Sequence, residues 1–128
     1  MGTVLGDKKG LTLVEVMIAL LLLLLVSLAM LQTALMSIDS NMLNVLRDEA
    51  VKIAAQRMDE ARNSDFDTLV NVDLTVTRNV RNVPDFPFAT RRTVTIINAN
   101  NRQVDITVTW LRKGQTYTHT ISSILSRQ

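Results

Sequence analysis

The chain of 128 residues contains no cysteine, so disulfides, thiolate metal sites and cysteine nucleophiles are all excluded. Its one histidine, His119, sits in a threonine-rich stretch with no acid and nucleophile in a recognisable arrangement around it. No glycine-rich phosphate loop and no metal-ligand spacing is present, so neither a cofactor nor a metal is expected, and the chain does not read as an enzyme. Aromatic residues make up 4% of the chain although 47% of it is hydrophobic, so the apolar content is aliphatic. The net charge is +2 with the basic residues scattered, and Arg91-Arg92 is the only adjacent arginine pair, which argues against a nucleic-acid partner.

The aliphatic residues are concentrated near the N-terminus. Leu11 to Leu31 runs for 21 residues with one charged position, Glu15. At about 1.5 Å per residue this run is roughly 31 Å long, enough to cross the hydrocarbon of a bilayer. Lys8 and Lys9 precede it, with Asp7 offsetting one of them, which favours a cytoplasmic N-terminus and an exported remainder. Once this run is assigned to lipid, the soluble core must come from the residues beyond 63, close to the lower limit for independent folding, so that part is expected to lean on the helix.

Ser27-Leu28-Ala29 offers the small-x-small pattern of an ordinary secretory signal, but the apolar run is longer than a signal core, contains a glutamate and continues as helix. A plain signal anchor leaves Glu15 unexplained as well. A carboxylate in lipid costs about 2.5 to 3.5 kcal/mol on insertion scales, so it asks for a partner. Glu15 lies five residues after Gly10, in Lys8-Lys9-Gly10-Leu11-Thr12-Leu13-Val14-Glu15. This stretch closely resembles the processing motif of type IV prepilins: a basic leader, a glycine, a hydrophobic residue, Thr-Leu, any residue and Glu. The resemblance implies cleavage between Gly10 and Leu11 by prepilin peptidase and N-methylation of Leu11. It also implies a role for Glu15 as an assembly carboxylate that pairs with the terminal ammonium of a neighbouring subunit, each charge neutralising the other in an apolar filament core. Leu11 stands where major pilins usually have phenylalanine, and Leu24 and Gln32 stand where many of them carry the Gly and Pro that interrupt the helix.

From Thr33 to Arg62 there is no Gly or Pro, and Leu35, Ile38, Met42, Leu46, Ala50, Ile53, Ala54, Met58 and Ala61 recur at helical spacing. The methionines in this stripe are expected to pack in a core. A continuous helix from Leu11 to about Arg62 would be roughly 78 Å long. Beyond it the residues become β-branched and alternating. Strands are expected at Val72 to Arg81, Arg91 to Ala99, Arg102 to Leu111 and Gln115 to Leu125, with turns at Asn98 to Asn101 and Arg112 to Gly114 and a looser connection bounded by Pro84 and Pro87. Val104, Ile106, Val108 and Trp110 fall on one face, expected to seat the helix, with Trp110 against Ile53 and Met58.

The fold expected is therefore α+β and pilin-like: a long N-terminal helix, membrane-spanning in its first half, on a small C-terminal antiparallel sheet. Its parts are a leader 1–10, a transmembrane half-helix 11–32, an amphipathic half-helix 33–63 and a β domain 64–128. The order of features, with Ala54-Ala55-Gln56-Arg57-Met58-Asp59-Glu60-Ala61-Arg62, Val108-Thr109-Trp110 and Thr120-Ile121-Ser122, also resembles PilV-type minor pilins and, as a second choice, GspI-type minor pseudopilins of type II secretion. The resemblance implies a subunit of the inner membrane and then of a periplasmic or extracellular filament. Its partners would be prepilin peptidase, other pilins or pseudopilins, the inner-membrane assembly platform and the lipid bilayer. A binding module with an exposed sheet for DNA or a surface is a third reading. An electron-carrying filament is not, because the helix from Leu11 to Ser64 has no aromatic residue.

Replacing Gly10 by Val is predicted to block cleavage while leaving membrane insertion unchanged, because only backbone access for the protease is lost. Intact-mass analysis of membranes should show uncut precursor for the variant and a chain beginning at methylated Leu11 for the wild type. A wild-type chain beginning at Met30 would instead mark an ordinary signal peptide.

Overall fold

The computed structural model describes residues 4–128, with side chains from Thr12 onward. Helix α1 runs from Val4 to Asn63. A single 3-10 turn at Phe66–Thr68 leads to four strands: β1 (Val72–Val80), β2 (Val83–Asn98), β3 (Asn101–Arg112) and β4 (Gln115–Ser126). They form one antiparallel meander in the order β1-β2-β3-β4. The chain divides into a first unit that ends at Met42 and a second, Leu43–Gln128. The fold is the expected α+β, pilin-like one, an apolar N-terminal helix packed on a four-stranded antiparallel sheet.

The second unit owes its core to two faces of different period. On α1, Leu46, Ala50, Ile53, Ala54, Met58 and Ala61 are buried, at the spacing that keeps one side of a helix in line. On β3, Val104, Ile106, Val108 and Trp110 are buried at every second residue. Their neighbours in the register include Thr90 on β2 and Ile121 and Tyr117 on β4, and the Phe88 ring lies against Trp110. Three of the six helix positions are alanine, which lets the helix backbone lie close to the sheet. Thr90, the one buried polar residue among those described, donates its hydroxyl to the carbonyl of Leu74 at 2.8 Å. Arg78 ties the helix to β1 through Gln56 (2.8 Å) and Glu49 (3.4 Å), and Arg62 reaches Ser123 on β4 (3.4 Å).

The expected helix stripe is longer than the buried one. Leu35 and Ile38 are 64% and 62% exposed, and Met42 is half-buried. Length explains the difference. From Val104 to Trp110 the strand advances about 20 Å, and from Leu46 to Ala61 the helix advances about 23 Å, so the sheet can cover no further turns.

The second strand differs most from the sequence reading. It starts at Val83 rather than Arg91, and Pro84 and Pro87, expected in a loose connection, lie inside it. Pairing of β2 with β3 begins only at Ala89 opposite Thr109, so Val83 to Phe88 are bonded to β1 alone, and a proline without an N–H costs nothing on the open side. A bulge between Arg78 and Val80 brings Asp85 to φ +51, with its N–H bonded to Asn79 Oδ1 at 3.0 Å. β1 ends at Val80, and β3 and β4 lie within one residue of the expected limits at each end. The β3–β4 turn has Lys113 at φ +49 and Gly114 at φ +76, the two positive values that a tight hairpin of matching twist requires.

Trp110 is 4% exposed, stacked on Tyr117 with ring centres 5.8 Å apart and tilted against Phe88 at 6.1 Å. Ile53 and Met58, against which it is expected to pack, are 1% and 3% exposed.

Ile53→Ala is predicted to destabilise the second unit by about 2 to 5 kcal/mol, and Leu35→Ala to change it by less than about 0.5 kcal/mol. Denaturant unfolding of the full chain in detergent, followed by Trp110 emission, compares the two directly.

Candidate assembly site

In the first unit the described part of α1 exposes nearly every apolar side chain it has. From Leu13 to Ile38 the large aliphatic residues range from 49% exposed at Leu28 to 72% at Met36. The helix is long and apolar enough to cross a membrane, and none of its most apolar stretch is buried within the chain. Two of its hydroxyls are satisfied locally. Ser27 donates to the carbonyl of Leu23 at 2.8 Å and Thr33 to that of Ala29 at 3.1 Å, so neither presents an unmet polar group to an apolar surrounding.

Glu15 is exposed on this surface, and among the described residues no ion pair or hydrogen bond to it is found. It is the acidic exception in a helix surface otherwise suited to lipid or to other helices. Lys8, Lys9, Gly10 and Leu11 were expected to form the processing site; their backbone lies within α1, and their side chains lie outside the described residues.

In the second unit the sequence candidates for other chemistry are dispersed. Arg91 and Arg92 point to opposite faces of β2. Arg91 pairs with Asp73 at 3.0 Å on the outer face, and this hydrogen bond and charge raise its pKa; Arg92 donates to the carbonyl of Val70 at 2.9 Å. The two arginines therefore make no common patch. His119 is half-buried opposite Val108, and its Nε2 is buried without a hydrogen-bond partner. No group of three or more potential metal ligands occurs among the described residues.

The sheet face turned away from the helix is lined with hydroxyls, including Thr75, Thr107, Thr109, Thr118 and Thr120. Thr107 and Thr120 are 3.1 Å apart through their hydroxyls, and Thr109 and Thr118 3.4 Å. At the far end Phe66 lies under the guanidinium groups of Arg102 (4.5 Å) and Arg127 (5.2 Å), and Asp67 pairs with Arg127, which closes the loop after the helix onto the last residues of the chain. The sequence reading missed Leu35 and Ile38 as free surface. The available signal was the mismatch between nine stripe positions on the helix and a strand face only four residues long.

Residues 6–31 match the family model described as the prokaryotic N-terminal methylation motif, a span that includes Gly10, Leu11 and Glu15. The match indicates a type IV prepilin-like N-terminus. No curated protein matches the chain, and no solved structure does.

Asp105 is held below the ordinary aspartate range, first by the Ser122 hydroxyl and then by the Gln103 amide, which bond its ionised form. A depressed folded pKa contributes stability above the unfolded value that is lost as pH falls through the folded one. Ser122→Ala should therefore move the Asp105 titration upward, toward the usual aspartate range, as read by carboxyl NMR. An unmoved titration would remove Ser122 as its cause.

Proposed function

We propose that this chain is a minor type IV pilin, cut after Gly10 by prepilin peptidase, methylated at Leu11, and packed by the first half of α1 into a pilus filament that it joins or helps to start. The observation that carries the reading is the aliphatic helix surface from Leu13 to Ile38, exposed throughout and bearing one carboxylate, Glu15, directly within the methylation motif. Before assembly, lipid covers that surface, with the N-terminus in the cytoplasm and the sheet outside. In the filament, neighbouring helices replace the lipid.

The mechanism is one of charge neutralisation. Cleavage creates an ammonium on Leu11 one turn before Glu15, and the methyl group leaves that ammonium charged. Water is absent from a core of packed aliphatic helices, so a charge without a partner costs several kcal/mol. The counter-charge is an N-terminal ammonium, the chain's own or that of an adjacent subunit, and co-oriented helices bring the adjacent one within reach at only one axial offset between them. The pair thus sets register while dispersion between aliphatic side chains supplies the adhesion. Leu11 in place of phenylalanine and a helix without internal Gly or Pro favour a minor over a major subunit.

A minor pseudopilin of a type II secretion system uses the same helix chemistry and is the second reading. Genes for pilus-assembly and retraction ATPases beside this one support the first, and secretion genes with an outer-membrane secretin the second.

Glu15→Ala is predicted to leave membrane insertion, cleavage and the thermal unfolding of the second unit unchanged, and to lower incorporation into filaments by roughly tenfold or more, since about 1.4 kcal/mol corresponds to each factor of ten. Quantifying the variant against wild type in sheared filaments tests this. Equal incorporation would leave α1 as a simple anchor.

A further inference from the structure

The meander leaves two strands with an open side, and they are protected very differently. β1 carries Asp73 and Arg78 and ends in a bulge. β4 has no Lys, Arg, Asp, Glu or Pro from Gln115 to Ser126, and its register with β3 runs without a shift from Asn101↔Ser126 to Arg112↔Gln115. A straight, uncharged edge of 12 residues lacks the usual devices that keep sheets from joining.

Its hydrogen-bonding groups can be assigned. The two-residue turn makes Arg112 and Gln115 a bonded pair, and bonded pairs alternate, so the odd-numbered residues of β4 serve β3. Arg127 continues that order, its N–H donating to the carbonyl of Asn100 at 2.8 Å. Thr116, Thr118, Thr120, Ser122 and Ile124 therefore aim N–H and C=O away from the sheet. Counted the same way from the Val80–Val83 turn, Asp73, Thr75 and Thr77 aim outward from β1. The hydroxyl of Thr90 bonding the carbonyl of Leu74 agrees, since it shows Leu74 facing β2.

We infer that the β4 edge accepts the β1 edge of a second copy of this chain, extending one sheet into the next. Direction selects this occupant. Ser123 lies beside Arg62 near the end of α1, so β4 runs the way the helix runs, whereas Arg78 beside Glu49 shows β1 running against it. Copies whose helices point the same way thus present β4 and β1 antiparallel. A β4–β4 pair would require one copy to be inverted relative to the other, which subunits repeating along one polar filament are not; this step rests on the filament proposed above. Charge permits the contact as well. The only charged side chain at an outward position of β1 is Asp73, already paired with Arg91, and the outward positions of β4 have none. Three bonded pairs give about six main-chain hydrogen bonds, a weak contact by itself that gains from confinement to one membrane, where effective concentration is high.

The chain lacks cysteine, so introduced thiols report alone. Two differently tagged full-length copies, one Thr118→Cys and the other carrying Asp73→Cys, Thr75→Cys or Thr77→Cys in turn, are co-expressed and oxidised in membranes. Bonded antiparallel residues lie about 5.5 Å apart at Cα, within disulfide range. A disulfide-linked dimer bearing both tags is expected, and Thr120→Lys, which puts a charge on the edge and leaves the core untouched, should abolish it, with circular dichroism confirming that the sheet persists. Dimers of Thr118→Cys with itself, linkage only to a different protein, no linkage, or a dimer indifferent to Thr120→Lys would each overturn the inference. Intact mass in the same samples keeps the two readings apart: a mature chain at Leu11 without the dimer sinks the edge contact alone, and a dimer of uncut chains sinks the pilin reading alone.

Discussion

The aliphatic surface of α1 between Leu13 and Ile38 has nothing in its own chain to bury it. At about 25 cal/mol for each Å² of apolar surface, an exposed row of leucines, isoleucines and methionines this long is untenable in water, so a second phase must cover it. Lipid does so by length and composition, and neighbouring helices of the same kind do so equally well. A surface that suits both phases can move between them at little net cost, as a subunit extracted from a membrane into a filament must. In the assembly proposed above, the Glu15 carboxylate is what lipid and helices leave unmet, and its pairing is what sets the register between helices.

The second half of α1 obeys a different constraint. A sheet of four strands with one hydrophobic face needs a cover, and the Leu46 to Ala61 stripe supplies it over the same length as the apolar run of β3. Its alanines bring the backbone near, and Arg78 and Arg62 fasten opposite ends. Along one continuous helix the exposed aliphatic surface thus ends at Ile38, and the stripe that the sheet buries begins at Leu46.

Much of this was legible in the residues because the two periods are clean. The 21-residue run reads as helix, as does the spacing from Leu46 to Ala61, and the alternation from Val104 to Trp110 reads as a strand with one buried face. The start of β2 was not legible, since prolines at 84 and 87 argue for a loop unless it is known that the strand there is bonded on one side only, a property of the sheet and not of the segment. The reach of the sheet over the helix was hidden for the same reason, because Leu35 and Ile38 fit the stripe and only the finite length of β3 leaves them out. Arg91-Arg92 read as one feature in the sequence and became two in the strand, where adjacent residues face opposite ways.

The most direct test of this division of α1 is chemical. In membranes carrying the otherwise cysteine-free chain, Leu21→Cys and Asp48→Cys are treated with a membrane-impermeant maleimide. The account predicts that the thiol at 48 is labelled fully and the thiol at 21 remains unlabelled until detergent is added. Equal labelling of both before detergent would show that the aliphatic half of the helix is in water, and would contradict it.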